Sequence, residues 1–161
     1  MNNKRLATKD QRRNKGFTLI ELLVVIGILA VLLSIVLIAI NPARQFAQAN
    51  NTQRRSDVTA VLNAVHQFAA DNNGALPTGV PIAGTTEEIS FAGTGVAFCD
   101  ALVPTYLAAL PQDPTGGVFT NCSNYDTNFQ ISASTPVVGS TPRVTISAPN
   151  AELDAVISVT R

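Results

Sequence analysis

The chain has 161 residues, enough for one ordinary globular domain, and its formal charge is zero. That balance conceals a basic N-terminus, because residues 1–16 hold six Lys and Arg residues and one Asp, a net charge of +5, while the remainder sums to −5. The basic residues precede a long apolar run, which favours a membrane role for this cluster over nucleic-acid binding, so no specific nucleic-acid partner is expected.

The first predicted elements are a basic leader over 1–16 and an apolar helix over 17–40. The apolar run reads FTLIELLVVIGILAVLLSIVLIAI and contains one charged residue, Glu21. A helix of this length extends roughly 36 Å, enough to cross a bilayer, and the positive leader places its N-terminus in the cytoplasm. The run ends at Asn41-Pro42 rather than at a small-residue cleavage site, so the helix is expected to stay with the protein.

An amphipathic continuation of the helix is predicted over 41–73, and Pro42 is expected to bend the helix without ending it. The residues Asn72-Asn73-Gly74, followed by Pro77, form a stop signal in which Gly74 suits a left-handed backbone. Apolar residues recur at helical spacing along one face: Val58, Val61, Leu62, Val65, Phe68 and Ala69.

The region 74–161 is rich in Gly, Pro, Ser and Thr and is predicted to be a loop-rich β domain. Phe129–Ala133, Arg143–Ala148 and Ala155–Thr160 are typical of short antiparallel strands, and a short helix is expected over Asp100–Leu110. The predicted fold class is therefore α+β, with the second half of a long N-terminal helix packed on a small antiparallel sheet.

Two cysteines, Cys99 and Cys122, lie in the part predicted to be exported, where a disulfide is the favoured interpretation. The alternatives are two free thiols or a metal site, for which two sulfurs and the distant His66 supply few ligands. Asp113 and Asp126 are candidate calcium ligands, although turn formation is favoured for both. No metal or cofactor is expected, and no catalytic set is recognisable, so the protein is predicted not to be an enzyme.

The junction Lys15-Gly16-Phe17 offers a protease an unhindered backbone just before the membrane. Cleavage after Gly16 would leave the amino group of Phe17 at the start of the apolar helix. The carboxylate of Glu21 is costly to leave unpaired in hydrocarbon, and an ammonium from an adjacent, axially shifted helix would both pair with it and set the stagger between subunits. The alternative is a side chain that snorkels to the lipid interface of an ordinary single-pass anchor.

The stretch GFTLIELLVVIGILAVL resembles the N-terminal signature of type IV pilins and pseudopilins. The resemblance implies that a prepilin peptidase cuts after Gly16 and methylates Phe17, and that Glu21 pairs with the N-terminal amine of a neighbouring subunit. It implies a structural protein that waits in the inner membrane as a single-pass protein. An inner-membrane assembly platform then draws it into an extracellular homo-oligomeric filament.

Within this family, a type IV pilus subunit for adhesion, twitching motility or DNA uptake is the favoured expectation. The stretch Tyr106–Pro114, YLAALPQDP, is similar to a "YL-x-x-LP-x-DP" segment of pseudopilins, so a pseudopilin of a type II secretion-like system is the alternative. A further alternative, from another functional class, is a membrane-anchored binding module that never polymerises.

Overall fold

A computed structural model describes residues 16–81, 84–135 and 142–161. The chain divides after Asn41 into two compact units, of which the second, Pro42–Arg161, is called the head unit below. The basic leader lies outside the described residues, apart from Gly16.

Two helices flank the boundary between the units, with α1 over Leu19–Ile40 and α2 over Pro42–Asp71. The expectation that the helix bends at Pro42 without ending is wrong, because Asn41 has a left-handed backbone with φ 47°. Proline lacks an N–H and disfavours a helical conformation in the residue before it, whereas it suits the first position of a new helix. Asparagine is one of the few residue types that adopt the left-handed conformation readily.

Helix α2 ends close to the predicted stop signal. Gly74 has φ 86°, and its N–H donates to the carbonyl of Ala69 at 2.7 Å, which satisfies a carbonyl of the last helical turn. The apolar face of α2 is buried as expected, completely so at four positions: Val58, Val61, Leu62 and Val65.

Within the described residues the sheet has five strands, all paired antiparallel: β1 Thr86–Ser90, β2 Val118–Asn121, β3 Asn124–Ala133, β4 Val144–Ser147 and β5 Ser158–Thr160. Their order is β1-β3-β4-β5, with β2 also paired to β3. Ile131 lies opposite Ile146, which lies opposite Val159. The three predicted strands are confirmed in position: Phe129–Ala133 is part of β3, and β4 and β5 lie within the longer predicted strands Arg143–Ala148 and Ala155–Thr160, whereas β1 and β2 were not predicted.

A short helix, α3, spans Gly95–Leu102. The helix expected over Asp100–Leu110 is therefore misplaced. The next residue, Val103, is extended, with φ −105° and ψ 133°, because it precedes Pro104 and proline disfavours a helical residue before it. The proline thus ends this helix instead of sitting in its first turn.

The core of the head unit lies between α2, α3 and one face of the sheet. Alternate residues of β3 are buried, and they meet the apolar face of α2 together with Phe98 and Leu102 of α3. Full burial of such a side chain contributes about 1.5–3 kcal/mol. The predicted α+β fold, with a helix packed on a small antiparallel sheet, is confirmed within the head unit.

A disulfide joins Cys99, buried in α3, to Cys122 in the turn between β2 and β3. It is the pairing favoured from the sequence. Closing a loop with a sequence separation of 23 residues contributes about 3 kcal/mol in the chain-entropy model. The bond ties the short helix to the β2–β3 hairpin.

A buried ion pair anchors α2 to the loops of the head unit. Arg54 is fully buried, and its Nε and Nη2 donate to the two carboxylate oxygens of Asp113 at 2.7 and 3.1 Å. Its Nη1 donates to Glu152 at 2.9 Å. Burial acts to raise the pKa of Asp113, but hydrogen bonds from Arg54 and Thr115 outweigh this effect and hold the pKa below its usual value. The pair is therefore charged at neutral pH.

The turn-forming interpretation is confirmed for Asp113, whereas Asp126 lies within strand β3. The N–H of Thr115 donates to Asp113 at 2.9 Å, and the N–H of Asn128 donates to Asp126 at 2.9 Å, two residues on in each case. Across residues 16–81, 84–135 and 142–161, no three His, Cys, Asp or Glu side chains group in a way that could hold a metal ion.

Replacing Arg54 by Ala should lower the free energy of unfolding by about 3–5 kcal/mol, because Asp113 would remain buried without its partner. Urea unfolding of the chain in detergent, followed by circular dichroism, measures this change. Arg55→Ala, at the exposed neighbouring position, is the matched control and should stay within about 0.5 kcal/mol. A loss below about 1 kcal/mol for Arg54→Ala would contradict the anchoring role.

Candidate functional site at the start of the apolar helix

The segment before α1 is exposed and irregular. Gly16 and Phe17 lie outside regular secondary structure, and the side chain of Phe17 is 84% exposed. A Cβ atom built on Gly16 would meet no atom of the described chain within 4 Å. No described residue therefore covers the peptide bond between Gly16 and Phe17.

Glu21 forms a capping box with Thr18, the N-cap of α1. The Oε2 atom of Glu21 accepts hydrogen bonds from the backbone N–H and the hydroxyl of Thr18, both at 2.7 Å, and the Glu21 N–H donates to Thr18 Oγ1 at 3.3 Å. This reciprocal arrangement satisfies N–H groups that the first helical turn leaves without partners. The carboxylate is therefore satisfied within a single chain.

The capping box places the acid beside the point where a new N-terminus would form. Phe17 immediately precedes Thr18, so an amino group on Phe17 would adjoin the donors that Glu21 now uses. Those donors are neutral, whereas an ammonium would add the attraction between two full opposite charges. The site can thus exchange a local cap for an ion pair without unfolding the helix.

The rest of α1 offers apolar surface on every side. All its residues are exposed, and it is the one helix in the described part of the chain that is long and apolar enough to span a membrane. Its serine is satisfied internally, because Ser34 Oγ donates to the carbonyl of Ala30 at 2.8 Å. Helix length and surface therefore suit lipid or other apolar helices, and Glu21 is the only side chain over 17–40 that carries a charge.

His66 lies apart from this site, partly buried on α2 in the head unit. Its Nε2 is buried and has no hydrogen-bond partner among the residues described. Burial, followed by the positive charge of Arg161, lowers the pKa of His66. The imidazole is consequently neutral at pH 7.

Sequence reasoning missed two residues that shape these sites. Thr18 is the cap that holds Glu21, and the spacing Thr-x-x-Glu before an apolar run was a usable signal for it. Arg54 was assigned no role from the sequence. No local pattern distinguishes a buried arginine from an exposed one, because its partners Asp113 and Glu152 are 59 and 98 residues away.

Comparison with known proteins places the same residues in a recognised motif. A family model for the prokaryotic N-terminal methylation motif matches residues 11–37, which include Gly16, Phe17 and Glu21. The chain is 31% identical over 110 residues to the type II secretion system core protein G of Aeromonas hydrophila, a match that covers 68% of this chain and 73% of that protein. No solved structure matches the chain significantly. The chain belongs to the type IV pilin and pseudopilin family.

Proposed function

We propose that this chain is the structural subunit of a type IV pilus-like filament, cut after Gly16, methylated on Phe17 and polymerised through α1. The observation that carries the proposal is the methylation motif over 11–37, which ends in a helix that is apolar on every side apart from Glu21. A prepilin peptidase and an inner-membrane assembly platform are the partners that this processing requires. The role is mechanical, with no enzymatic activity.

Before assembly, the subunit is a single-pass protein of the inner membrane. Helix α1 has 22 residues and extends about 33 Å, which matches the hydrocarbon thickness of a bilayer. The leader, with a net charge of +5, keeps the N-terminus in the cytoplasm and directs the head unit outward. Export to an oxidising compartment agrees with the disulfide between Cys99 and Cys122.

Assembly transfers α1 from lipid to other copies of α1. The helices of an extracellular filament stand in water unless they pack on each other, and their apolar side chains make that packing favourable. Each copy must contact the next through two different surfaces, because a head-to-tail contact that does not close generates an open helical polymer. The filament is thus a helical homo-oligomer with α1 at its centre.

Glu21 sets the register of this bundle. An apolar helix surface permits many axial positions, and a buried carboxylate is tolerated only where a donor meets it. We assign that donor to the N-terminal amine of a neighbouring subunit, in place of the two Thr18 groups that now bond to the carboxylate. One ion pair per subunit then selects a single stagger among many of similar packing energy.

A pseudopilin role in a type II secretion-like system is a second candidate, and a specific observation favours it. The relative from Aeromonas hydrophila is named as a component of a type II secretion system. Deleting the gene in its own host separates the candidates. We expect surface filaments to disappear while protein secretion is unchanged, whereas retention of secreted proteins in cells that keep their surface filaments would assign the chain to secretion.

Glu21→Ala should leave cleavage and membrane insertion intact but lower incorporation into filaments at least tenfold, since a factor of ten corresponds to only about 1.4 kcal/mol. Intact-mass measurement of the membrane fraction reports loss of the 16-residue leader, and quantification of sheared filaments reports incorporation.

Ser34→Ala is the matched control for this variant, because it removes a polar group of α1 that bonds only to Ala30 of its own helix. It should assemble normally. Incorporation of Glu21→Ala at the level of the control would refute the register role. A chain that keeps its leader in membranes containing the peptidase would instead indicate an anchored binding module.

A further inference from the structure

The loop between β4 and β5 is held tightly against the first half of α2. Asn51 exchanges two hydrogen bonds with the backbone of Glu152, donating to its carbonyl at 2.7 Å and accepting from its N–H at 2.9 Å. The carboxylate of Glu152 accepts from Asn50 at 3.0 Å and from Arg54 at 2.9 Å. Four hydrogen bonds therefore fix one residue of a surface loop on a helix.

These hydrogen bonds hold the loop in an unfavourable backbone conformation. Leu153 and Asp154, which follow Glu152, both have left-handed backbones, with φ 59° and 54°. This conformation is unusual for a leucine and persists only where the surroundings impose it. The loop leaves Leu153 50% exposed to solvent. Val156, three residues further on, is 92% exposed. A rigid loop thus displays apolar groups to its surroundings.

Leu153 forms one wall of a groove of about 390 Å³ on α2, whose lining residues are Gln48, Asn51, Thr52, Arg55, Leu153 and Ala155. Arg55 is exposed, and within the described ranges its guanidinium has no hydrogen-bond or ion-pair partner. An apolar wall facing an arginine suits an aromatic ring, which packs on the leucine and offers its face to the cation. The groove is large enough for one such side chain.

The same helix carries an exposed aromatic residue on its opposite flank. Phe46, in the second turn of α2, is 71% exposed. At 100° per residue, the groove positions 48, 51, 52 and 55 lie at roughly 140–240° from Phe46, and the buried face of α2 is centred at roughly 90°, between them. The ring of Phe46 and the groove therefore face opposite sides of the head unit. They cannot meet within one chain.

Two complementary surfaces on opposite flanks are what a head-to-tail polymer requires. Phe46 and the four groove residues that belong to α2 lie within 13 residues of Pro42, the first residue of the head unit, or about 20 Å along α2. In a filament with α1 at its centre, the residues nearest in sequence to α1 are held among neighbouring copies. The occupant that fits is therefore a second copy of this chain.

We propose that Phe46 of one subunit inserts into the groove between Leu153 and Arg55 of the next subunit. This inference rests on the proposed function and adds to it a contact between head units, beside the one made by α1. The contact explains why the β4–β5 loop is pinned in a strained conformation: the anchoring fixes one wall of a binding groove. In the same filament, Glu21 then sets the axial stagger of the α1 helices, and Phe46 joins neighbouring head units.

Cysteine cross-linking in sheared filaments tests the contact, because both native cysteines are already joined in a disulfide. A chain carrying Phe46→Cys and Leu153→Cys together should give a covalent ladder with a short bis-maleimide. Filaments mixed from the two single variants should give dimers and no larger product. Filaments of either single variant alone should stay monomeric after denaturation, because the contact joins two different surfaces.

A photoreactive benzoylphenylalanine at position 46 provides a second measurement that keeps an aromatic ring in place. We expect its adduct on Leu153 or Arg55 of another subunit, identified by mass spectrometry in filaments mixed from isotopically labelled and unlabelled chains. Intact filaments that yield neither the ladder nor this adduct would overturn the contact while leaving the proposed function standing. Failure of the unmodified chain to form any filament would overturn both.

Discussion

The carboxylate of Glu21 stands alone in a helix whose other side chains carry no charge, and the behaviour of the apolar helix depends on how that charge is satisfied. In the single chain, Thr18 satisfies it through two hydrogen bonds of 2.7 Å. This local solution allows α1 to lie in a membrane as a stable helix. Both donors are neutral, so an ammonium from a neighbouring subunit would compete with them through the attraction between full opposite charges. Under the proposed function, replacing this cap by an ion pair makes Glu21 a determinant of assembly.

The two units of the chain meet different physical demands. Helix α1 buries none of its side chains and needs lipid or other helices, whereas the head unit has a complete core of its own. The head unit also carries constraints beyond its core, since Arg54 ties α2 to two loops and the disulfide ties α3 to a hairpin. Such constraints suit a domain that must keep its shape while its helix moves from one environment to another.

Much of this architecture could be predicted from local patterns. The apolar run, the stripe from Val58 to Val65 and the stop signal at Gly74 each depend on residues close in sequence, and the structure confirms them. The same holds for Glu21, whose isolation in an apolar run is visible without coordinates, although its role in assembly remains a proposal.

The errors arose where local patterns compete or where the partner is distant. Asn41 ends α1 because it adopts a left-handed backbone before Pro42, and the sequence alone did not distinguish this ending from a bend. The strand Thr86–Ser90 was missed because two of its five residues are glutamates, which are poor strand formers. The anchoring of Arg54 and the groove beside Leu153 depend on contacts between residues 59 or more positions apart, which no short window along the sequence contains.

The register role of Glu21 can be tested directly because of an unusual feature of the composition. All three lysines, Lys4, Lys9 and Lys15, lie in the leader, so after cleavage the amine of Phe17 is the only amino group in the chain. A carbodiimide, which joins an amine to a carboxylate only in direct contact, should therefore convert intact filaments into a ladder linked from Phe17 to Glu21. In filaments mixed from isotopically labelled and unlabelled subunits, the linked peptide should combine both isotopes. A product confined to single chains, or the absence of this linkage from intact filaments, would contradict the account.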